Sequence, residues 1–179
     1  MEPAESPPMS TNQRAQVAMT AEEIGAFLAS RRTANLVTLG QAGQPHAVAM
    51  WFALIDGQVW FETKAKAQKA LNLRRDPRAT VLVEDGLTYD TLRGVSLEGR
   101  AEIVDDADAL WAVGVNIWQR YHGPYSEDVR PIVEFMLRKR VAVRLDVERT
   151  RSWDHRKLGL DPMPLGGTTA EFVNPPENL

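Results

Sequence analysis

The stretch VWFETKAKAQKALNLRRDPRATVLVED, residues 59–85, places a basic segment between two β-prone runs. The runs at 58–63 and 78–85 are rich in the β-branched and aromatic residues that favour strands. Residues 66–73 between them are predicted to form a short helix, closed by Arg75, Asp76 and Pro77 because proline cannot continue a helix. The stretch is therefore predicted to fold as strand, helix, strand, with lysines where the helix begins.

On both sides of this stretch the pattern predicts further strands and helices. Thr20 and Glu23 form a capping box in front of a helix over residues 21–30. Turn residues at 40–44 and 55–57 separate β-prone runs, which favours antiparallel neighbours. The six predicted strands cover residues 33–40, 45–54, 58–63, 78–85, 92–104 and 140–148, and further helices follow residues 105 and 126.

The order of these elements indicates a mainly β fold. Strands and helices do not alternate as they do in a Rossmann sheet. Six mostly antiparallel strands with helices inserted between some of them predict a small β-barrel, closed or split. Residues 1–18 are predicted to be a disordered leader, residues 19–160 the folded domain, and residues 161–179 an irregular tail.

Composition excludes several classes of function. The 179 residues carry a net charge of −3, whereas proteins that coat nucleic acid usually have a basic excess, so no nucleic-acid partner is expected. The chain has no cysteine, which excludes disulfides and thiolate catalysis. There is no signal peptide and no apolar run of about 20 residues, so we expect a cytoplasmic protein without a membrane partner.

The basic segment has two interpretations from its residues alone. A loop that leaves a strand and opens a helix presents free backbone N–H groups to an anion. Thr63 can add a hydroxyl donor there, and Lys66 and Lys69 are spaced to lie on one side of a helix. Alternatively, the segment is a solvated amphipathic helix, because lysines are mostly exposed.

Residues 59–85, followed by GVSLEGRAEIV at 94–104, resemble the pyridoxamine 5′-phosphate oxidase-like split-barrel superfamily. The most specific part is the string Lys69, Asn72, Leu73, Asp76, Pro77 and Arg78. Within the superfamily the pattern is closest to the actinobacterial oxidoreductases that use the deazaflavin coenzyme F-420. The similarity covers roughly residues 20–156.

The resemblance implies a homodimer of six-stranded split barrels that holds its cofactor in clefts between the subunits. Thr63, Lys66 and Lys69 match the phosphate-binding positions of the family, and Gln68 stands where many flavin-binding members have a basic residue. The strand that matches the edge contacting the ring through its backbone carries Val48, Ala49, Met50 and Trp51.

One departure from the family pattern bears on the cofactor. Pyridoxamine phosphate oxidases proper have an Arg and a Lys on the ring-contacting strand, whereas this chain has His46 and Trp51. The departure argues against pyridoxamine phosphate oxidation and favours the deazaflavin over FMN. A lone histidine such as His46 is more often structural than catalytic. Beyond the last strand, Trp153 lies in a segment that in this superfamily often reaches the cofactor cleft of the partner.

No carboxylate pair, metal-ligand spacing or nucleophile motif stands out, so the chemistry is assigned to a bound cofactor and no catalytic residue is named. The expected function is hydride transfer between reduced coenzyme F-420 and an unsaturated or aromatic small-molecule acceptor. The alternatives are an FMN-binding reductase or oxidase on the same scaffold and a flavin- or haem-binding protein without turnover.

Overall fold

A computed structural model describes residues 13–170 and residue 173 of the chain. Seven strands in this part form one antiparallel sheet. They are β1 Ala34–Leu39, β2 Pro45–Met50, β3 Ala53–Ile55, β4 Gln58–Lys64, β5 Arg78–Asp85, β6 Arg93–Val104 and β7 Arg140–Asp154. The helices are α1 Gln13–Val17, α2 Ala21–Ser30, α3 Gln68–Arg75, α4 Ala107–Tyr121 and α5 Arg130–Leu137, with 3-10 turns at Glu127–Val129 and His155–Leu158.

The sheet must curl, because its two edge strands are neighbours in sequence. The strand order is β2-β1-β5-β6-β7-β4-β3, so β2 and β3 lie at opposite edges. Seven flat strands would separate those edges by about 29 Å. Only Trp51 and Phe52 join Met50 to Ala53, and three Cα steps span at most about 11 Å. The edges are therefore drawn together at this corner, and the sheet closes into a half-barrel.

Two apolar clusters fix the curled sheet from inside and outside. The interior cluster combines the inward faces of the strands with Phe27 and Leu28 of α2 and Leu73 of α3. The outer cluster packs Val113 and Ile117 of α4 against the β3–β4–β7 side. Helix α2 begins at the predicted capping box, since Thr20 accepts a hydrogen bond from the Glu23 N–H and its own N–H donates to the Glu23 carboxylate.

The corner at Trp51 and Phe52 is held by the last residue of α4. The Tyr121 hydroxyl accepts a hydrogen bond from the Phe52 N–H at 3.0 Å and donates to the Phe52 carbonyl at 3.2 Å. Phe52 is fully buried, so these two backbone groups have no access to water. The Arg120 guanidinium lies 4.6 Å from the centre of the Phe52 ring and donates to the carbonyls of Leu28 and Arg31 at the end of α2.

The predicted mainly β split barrel is confirmed, but the predicted count of six strands is wrong. Residues 45–54 were expected to form one strand, and the structure divides them into β2 and β3. The division follows from the corner, where Phe52 and Ala53 are both buried and the alternation of a strand is lost. Residues 47–54 are apolar throughout, so the sequence carries no sign of the break.

Helix α3 and strand β7 also differ from their predicted bounds. Helix α3 begins at Gln68 rather than at residue 66. Strand β7 continues past residue 148 to Asp154 through a bulge opposite Glu98 and Gly99. Its second half is stabilised by pairing with β6 rather than by burial, so it can form with few apolar residues.

The two ends of the chain differ in how far the structure describes them. Residues 13–17 of the predicted leader form α1, with Val17 buried, whereas residues 1–12 lie outside the described residues. Residues 161–169 of the predicted tail contain neither helix nor strand, and most of residues 171–179 are outside the described part. No helix in that part has the length and apolarity to cross a membrane.

Replacing Tyr121 with Phe tests the corner. We expect Y121F to lower the free energy of unfolding by about 1–3 kcal/mol, because it leaves the buried N–H and carbonyl of Phe52 without a partner. The matched control is Y125F, which removes a hydroxyl that bonds Glu127 at the surface. Equal losses in the two variants, measured by urea denaturation, would contradict the role of Tyr121.

Asp154 gives a pH-dependent prediction. Hydrogen bonds from Arg156 lower the pKa of this buried carboxyl against the opposing effect of burial. Its stabilising contribution is therefore present above the unfolded-state pKa of about 3.9 and is lost as the pH falls through the lower folded-state pKa. We expect D154N to lose about 1–3 kcal/mol of unfolding free energy at pH 7, with the gap closing below about pH 4. A gap that does not depend on pH would refute this account.

Candidate functional site

The basic segment builds an uncapped helix start at the end of β4. Ala67 is the N-cap residue of α3 and offers no side-chain acceptor to the first backbone N–H groups of the helix. The preceding loop is held by its backbone, since the Ala65 N–H donates to the Lys139 carbonyl and the Ala67 N–H to the Lys64 carbonyl, both at 2.9 Å. The fixed loop and the free N–H groups form a place suited to an anion.

The predicted phosphate-binding side chains surround this helix start in different ways. Thr63 is almost fully buried near the end of β4. Lys66 is exposed in the loop and not on the helix face with Lys69, because α3 begins two residues later than predicted. Lys69 is half-buried in the first turn, and Gln68, the first helical residue, donates through Nε2 to Asn72 Oδ1 at 2.8 Å.

A buried carboxylate lies among the cations beside this helix start. Glu62 of β4 forms an ion pair with Arg140 of β7 at 2.7 Å, and only 11% of its side chain is exposed. Lys64 stands directly across from Arg140 in the β4–β7 register, on the same face. Arg140 and Lys64 carry two positive charges against the one negative charge of Glu62, so the cluster has surplus positive charge. Like charges opposite each other in a sheet are unfavourable.

Burial and neighbouring charges shift the pKa values of Glu62 and Lys69. Burial raises the pKa of Glu62, and the nearby Arg140 charge opposes this rise. Burial and the Arg140 charge lower the pKa of Lys69, and the Glu62 charge partly counters them. Lys69 is thus a partly desolvated cation, which an incoming anion would stabilise in its charged form.

The predicted ring-contacting strand is β2, an open edge of the sheet. It pairs with β1 alone, so its outward backbone groups have no ladder partner in residues 13–170. Ala47 and Ala49 are exposed on one face, whereas Val48 and Met50 are half-buried against the core. The strand therefore offers backbone donors and acceptors beside small side chains, as a flat ring requires.

A buried hydrogen bond links α3 to β1, the neighbour of this edge strand. Asn72 is fully buried and donates from Nδ2 to Thr38 Oγ1 at 3.0 Å. Thr38 pairs across the β1–β2 ladder with His46, which we expected to be structural. The His46 Nδ1 atom is buried without a hydrogen-bond partner in the described part of the chain. Asn72 therefore holds α3 beside β1, the strand that pairs with β2.

Trp51 is held as an aromatic wall at the far end of β2. Its ring stacks on Tyr121 with centroids 4.4 Å apart and an interplanar angle of 7°. His122 meets it edge-on at 5.5 Å. Trp51 nevertheless remains 46% exposed, so part of its surface is free to contact a ligand. The contact of Trp51 with a cofactor ring stays a prediction.

Trp153 is not brought to the other predicted site residues within one chain. It lies near the end of β7, twelve residues beyond Val141, the cross-strand partner of Thr63, which is about 40 Å along the strand. Its indole packs over Gly94 of β6. A role for Trp153 in the site requires a second subunit, and the dimer remains a prediction.

Sequence reasoning missed Glu62, Arg140 and Tyr121. Glu62 occupies an ordinary outward position of an alternating strand, and Arg140 becomes its neighbour only through the β4–β7 pairing. Tyr121 ends an amphipathic helix with nothing local to indicate a contact to Phe52. The residues near α3 and β2 together fit a group with a flat ring and a phosphate, since they supply an open backbone edge, free helix N–H groups and surplus cations.

The chain is similar to several known proteins. It is 33% identical to a biliverdin reductase of Mycobacterium tuberculosis (strain CDC 1551 / Oshkosh) that depends on reduced coenzyme F-420, over 117 residues that make up 64% of this chain and 81% of the relative. The crystal structure of conserved hypothetical protein Rv2991 from Mycobacterium tuberculosis aligns with a TM-score of 0.86 and 60% identity, covering 89% of this chain and 99% of that one.

A solved structure described as an F-420 reductase aligns with a TM-score of 0.53 and 26% identity, over 70% of this chain and 93% of that chain. The family model described as pyridoxamine 5′-phosphate oxidase matches residues 20–154. Because that match takes in all seven strands of the half-barrel, the protein belongs to the pyridoxamine 5′-phosphate oxidase family.

Proposed function

We propose that the protein is an oxidoreductase that transfers hydride between reduced coenzyme F-420 and an unsaturated or aromatic small-molecule acceptor. The observation that carries the proposal is the uncapped start of α3 among surplus cations, and the open edge of β2 supports it. The similarity to a reductase that depends on reduced coenzyme F-420 supports the deazaflavin as the ring.

The residues around α3 would hold the phosphate. The free N–H groups at the start of α3 and the Lys69 ammonium supply charge-assisted donors, which are the stronger class of hydrogen bond. Thr63 adds a hydroxyl at the end of β4, and Lys66 adds positive charge from the loop. Gln68 is tied to Asn72, so it shapes the wall of the site and adds no charge.

The outer edge of β2 would position the ring. Backbone groups of residues 48–51 give hydrogen bonds of fixed direction, because the β1 ladder holds the strand. Trp51 cannot turn freely, since it is stacked on Tyr121, whose hydroxyl is tied to Phe52. It would therefore present a rigid aromatic face to the acceptor and help to exclude water.

The bound deazaflavin supplies two-electron hydride chemistry, which suits conjugated acceptors. The protein contributes orientation and electrostatics, as is usual for cofactor enzymes. No side chain is assigned as proton donor. The FMN-dependent reductase or oxidase and the flavin- or haem-binding protein without turnover use the same scaffold and are outcomes of the test below.

Titration of the purified protein with coenzyme F-420, FMN and haem separates these functions. We expect quenching or enhancement of deazaflavin fluorescence at micromolar coenzyme, weaker binding of FMN, and oxidation of reduced coenzyme F-420 when a conjugated acceptor such as biliverdin is added. Tight FMN binding without deazaflavin binding would replace the proposal with the FMN enzyme. Binding without acceptor-dependent oxidation would indicate a carrier.

Replacing Lys69 with Ala tests the phosphate contact. We expect K69A to weaken coenzyme binding by about 1–3 kcal/mol, because it removes a charge-assisted hydrogen bond. The matched control is R78A, which removes one positive charge from an exposed side chain paired with Asp76. Fluorescence titration at constant ionic strength measures the coenzyme affinity of both variants. Equal losses of affinity would mean that Lys69 contributes only through the net charge.

The lowered pKa of Lys69 predicts a pH dependence. In the free protein this lysine loses its proton at a lower pH than an ordinary lysine, whereas a bound phosphate favours the charged form. Affinity should therefore fall as the pH rises through the lowered pKa of Lys69. Arginine stays protonated throughout, so the fall should be absent in K69R. Titrations between pH 7 and 10 in both proteins would show parallel curves if Lys69 were not the group responsible.

A further inference from the structure

We propose that Glu62 lowers the affinity of the anion site, so that the phosphate-bearing coenzyme exchanges with solution and is not held permanently. The inference rests on the proposed function and adds a control on affinity at the same site. It starts from the ion pair between Glu62 and Arg140 beside Lys69.

The fold places Glu62 where its charge must act on the site. The side chain is 89% enclosed, so water screens it poorly, and it lies on the same face of β4 and β7 as Arg140 and Lys64. In the ion pair of Glu102 with Arg144, by contrast, the carboxylate side chain is 56% exposed and is screened by water. Glu62 is therefore a carboxylate that an anion bound near Lys69 would sense directly.

A carboxylate in this position has two opposite effects. It engages Arg140 and repels an incoming phosphate, which lowers affinity. It also helps to keep Lys69 protonated, because its negative charge opposes the burial and the Arg140 charge that lower the pKa of that lysine. While Lys69 is charged, the repulsion decides the outcome. As the pH rises and Lys69 approaches its pKa, the second effect gains weight.

The charged groups that act on Lys69 are Glu62 and Arg140, and Lys64 and Lys66 lie close to them in the strand and in the loop. Glu62 and Lys64 belong to β4, Arg140 to β7, and Lys66 to the loop before α3. Only Glu62 in this set is negative. Its neutralisation raises the net charge of the set by one unit, whereas the loss of any one cation lowers it by one unit.

Four proteins test the proposal by their order of affinity. E62Q adds one net positive charge, R140Q removes one, and the double variant with both changes keeps the net charge of the wild type with a neutral pair that can still form a hydrogen bond. We expect E62Q to bind about threefold to tenfold more tightly than the wild type, the double variant to bind like the wild type, and R140Q to bind more weakly.

A purely structural ion pair makes the opposite prediction. If Glu62 and Arg140 only stabilised the fold, both single variants would lose affinity together, and E62D, which keeps the carboxylate, would retain more affinity than E62Q. The control E102Q removes an equally charged but exposed carboxylate and should leave affinity unchanged. R140Q is expected to bind more weakly in both accounts, so the comparison that decides between them is E62Q against the wild type and E62D.

Two probes keep the inference separate from the proposed function. Inorganic phosphate, followed by ³¹P line broadening, reports the anion site alone, and coenzyme F-420, followed by fluorescence, reports the whole site. We expect the same order of the four proteins with both probes, more coenzyme retained by E62Q through gel filtration, and an advantage of E62Q that shrinks as the pH rises.

Phosphate binding in the expected order without binding of either F-420 or FMN would overturn the proposed function and leave the role of Glu62 standing at the anion site. Coenzyme binding with unchanged or weakened affinity in E62Q would overturn the role of Glu62 alone.

Discussion

Two residues carry the chain from one edge of a seven-stranded sheet to the other, and this short passage sets the curvature of the barrel. The passage is stable because the Tyr121 hydroxyl satisfies both backbone groups of the buried Phe52. Two features of the site follow from this corner. β2 remains an open edge because the sheet cannot close a ladder across the corner, and Trp51 is presented at the rim because Phe52 points into the core.

The basic segment serves the fold and the site with different side chains. Arg74 donates to the Ala65 carbonyl at 2.6 Å and fixes the loop, and Arg75 bonds the Leu39 carbonyl at the end of β1. Lys66 and Lys69 are the side chains that the proposed function assigns to the ligand. The number of positive charges in the segment therefore overstates its capacity for an anion, and Glu62 reduces that capacity further.

Local chemistry allowed much of the fold to be predicted from the sequence. The capping box of Thr20 and Glu23, the buried strand 78–85 and the long alternating strand ending at residue 104 all have strong local signals. The corner at Trp51 had none, because an apolar run reads the same whether it bends or not. The extension of β7 to Asp154 was missed because pairing, not apolar pattern, sustains it. Lys69 could be proposed as a phosphate ligand from its neighbours in sequence. Glu62 and Arg140 are far apart in the sequence and meet only through the pairing of β4 with β7.

The packing of Trp153 over Gly94 has a consequence for reading related sequences. A methyl group at position 94 would lie 2.3 Å from the indole ring, and the two residues are cross-strand partners in the β6–β7 ladder. Neither position can change alone without a collision or a gap. The pair should thus vary together among homologues, a correlated substitution that would identify the β6–β7 register in any alignment deep enough to show it.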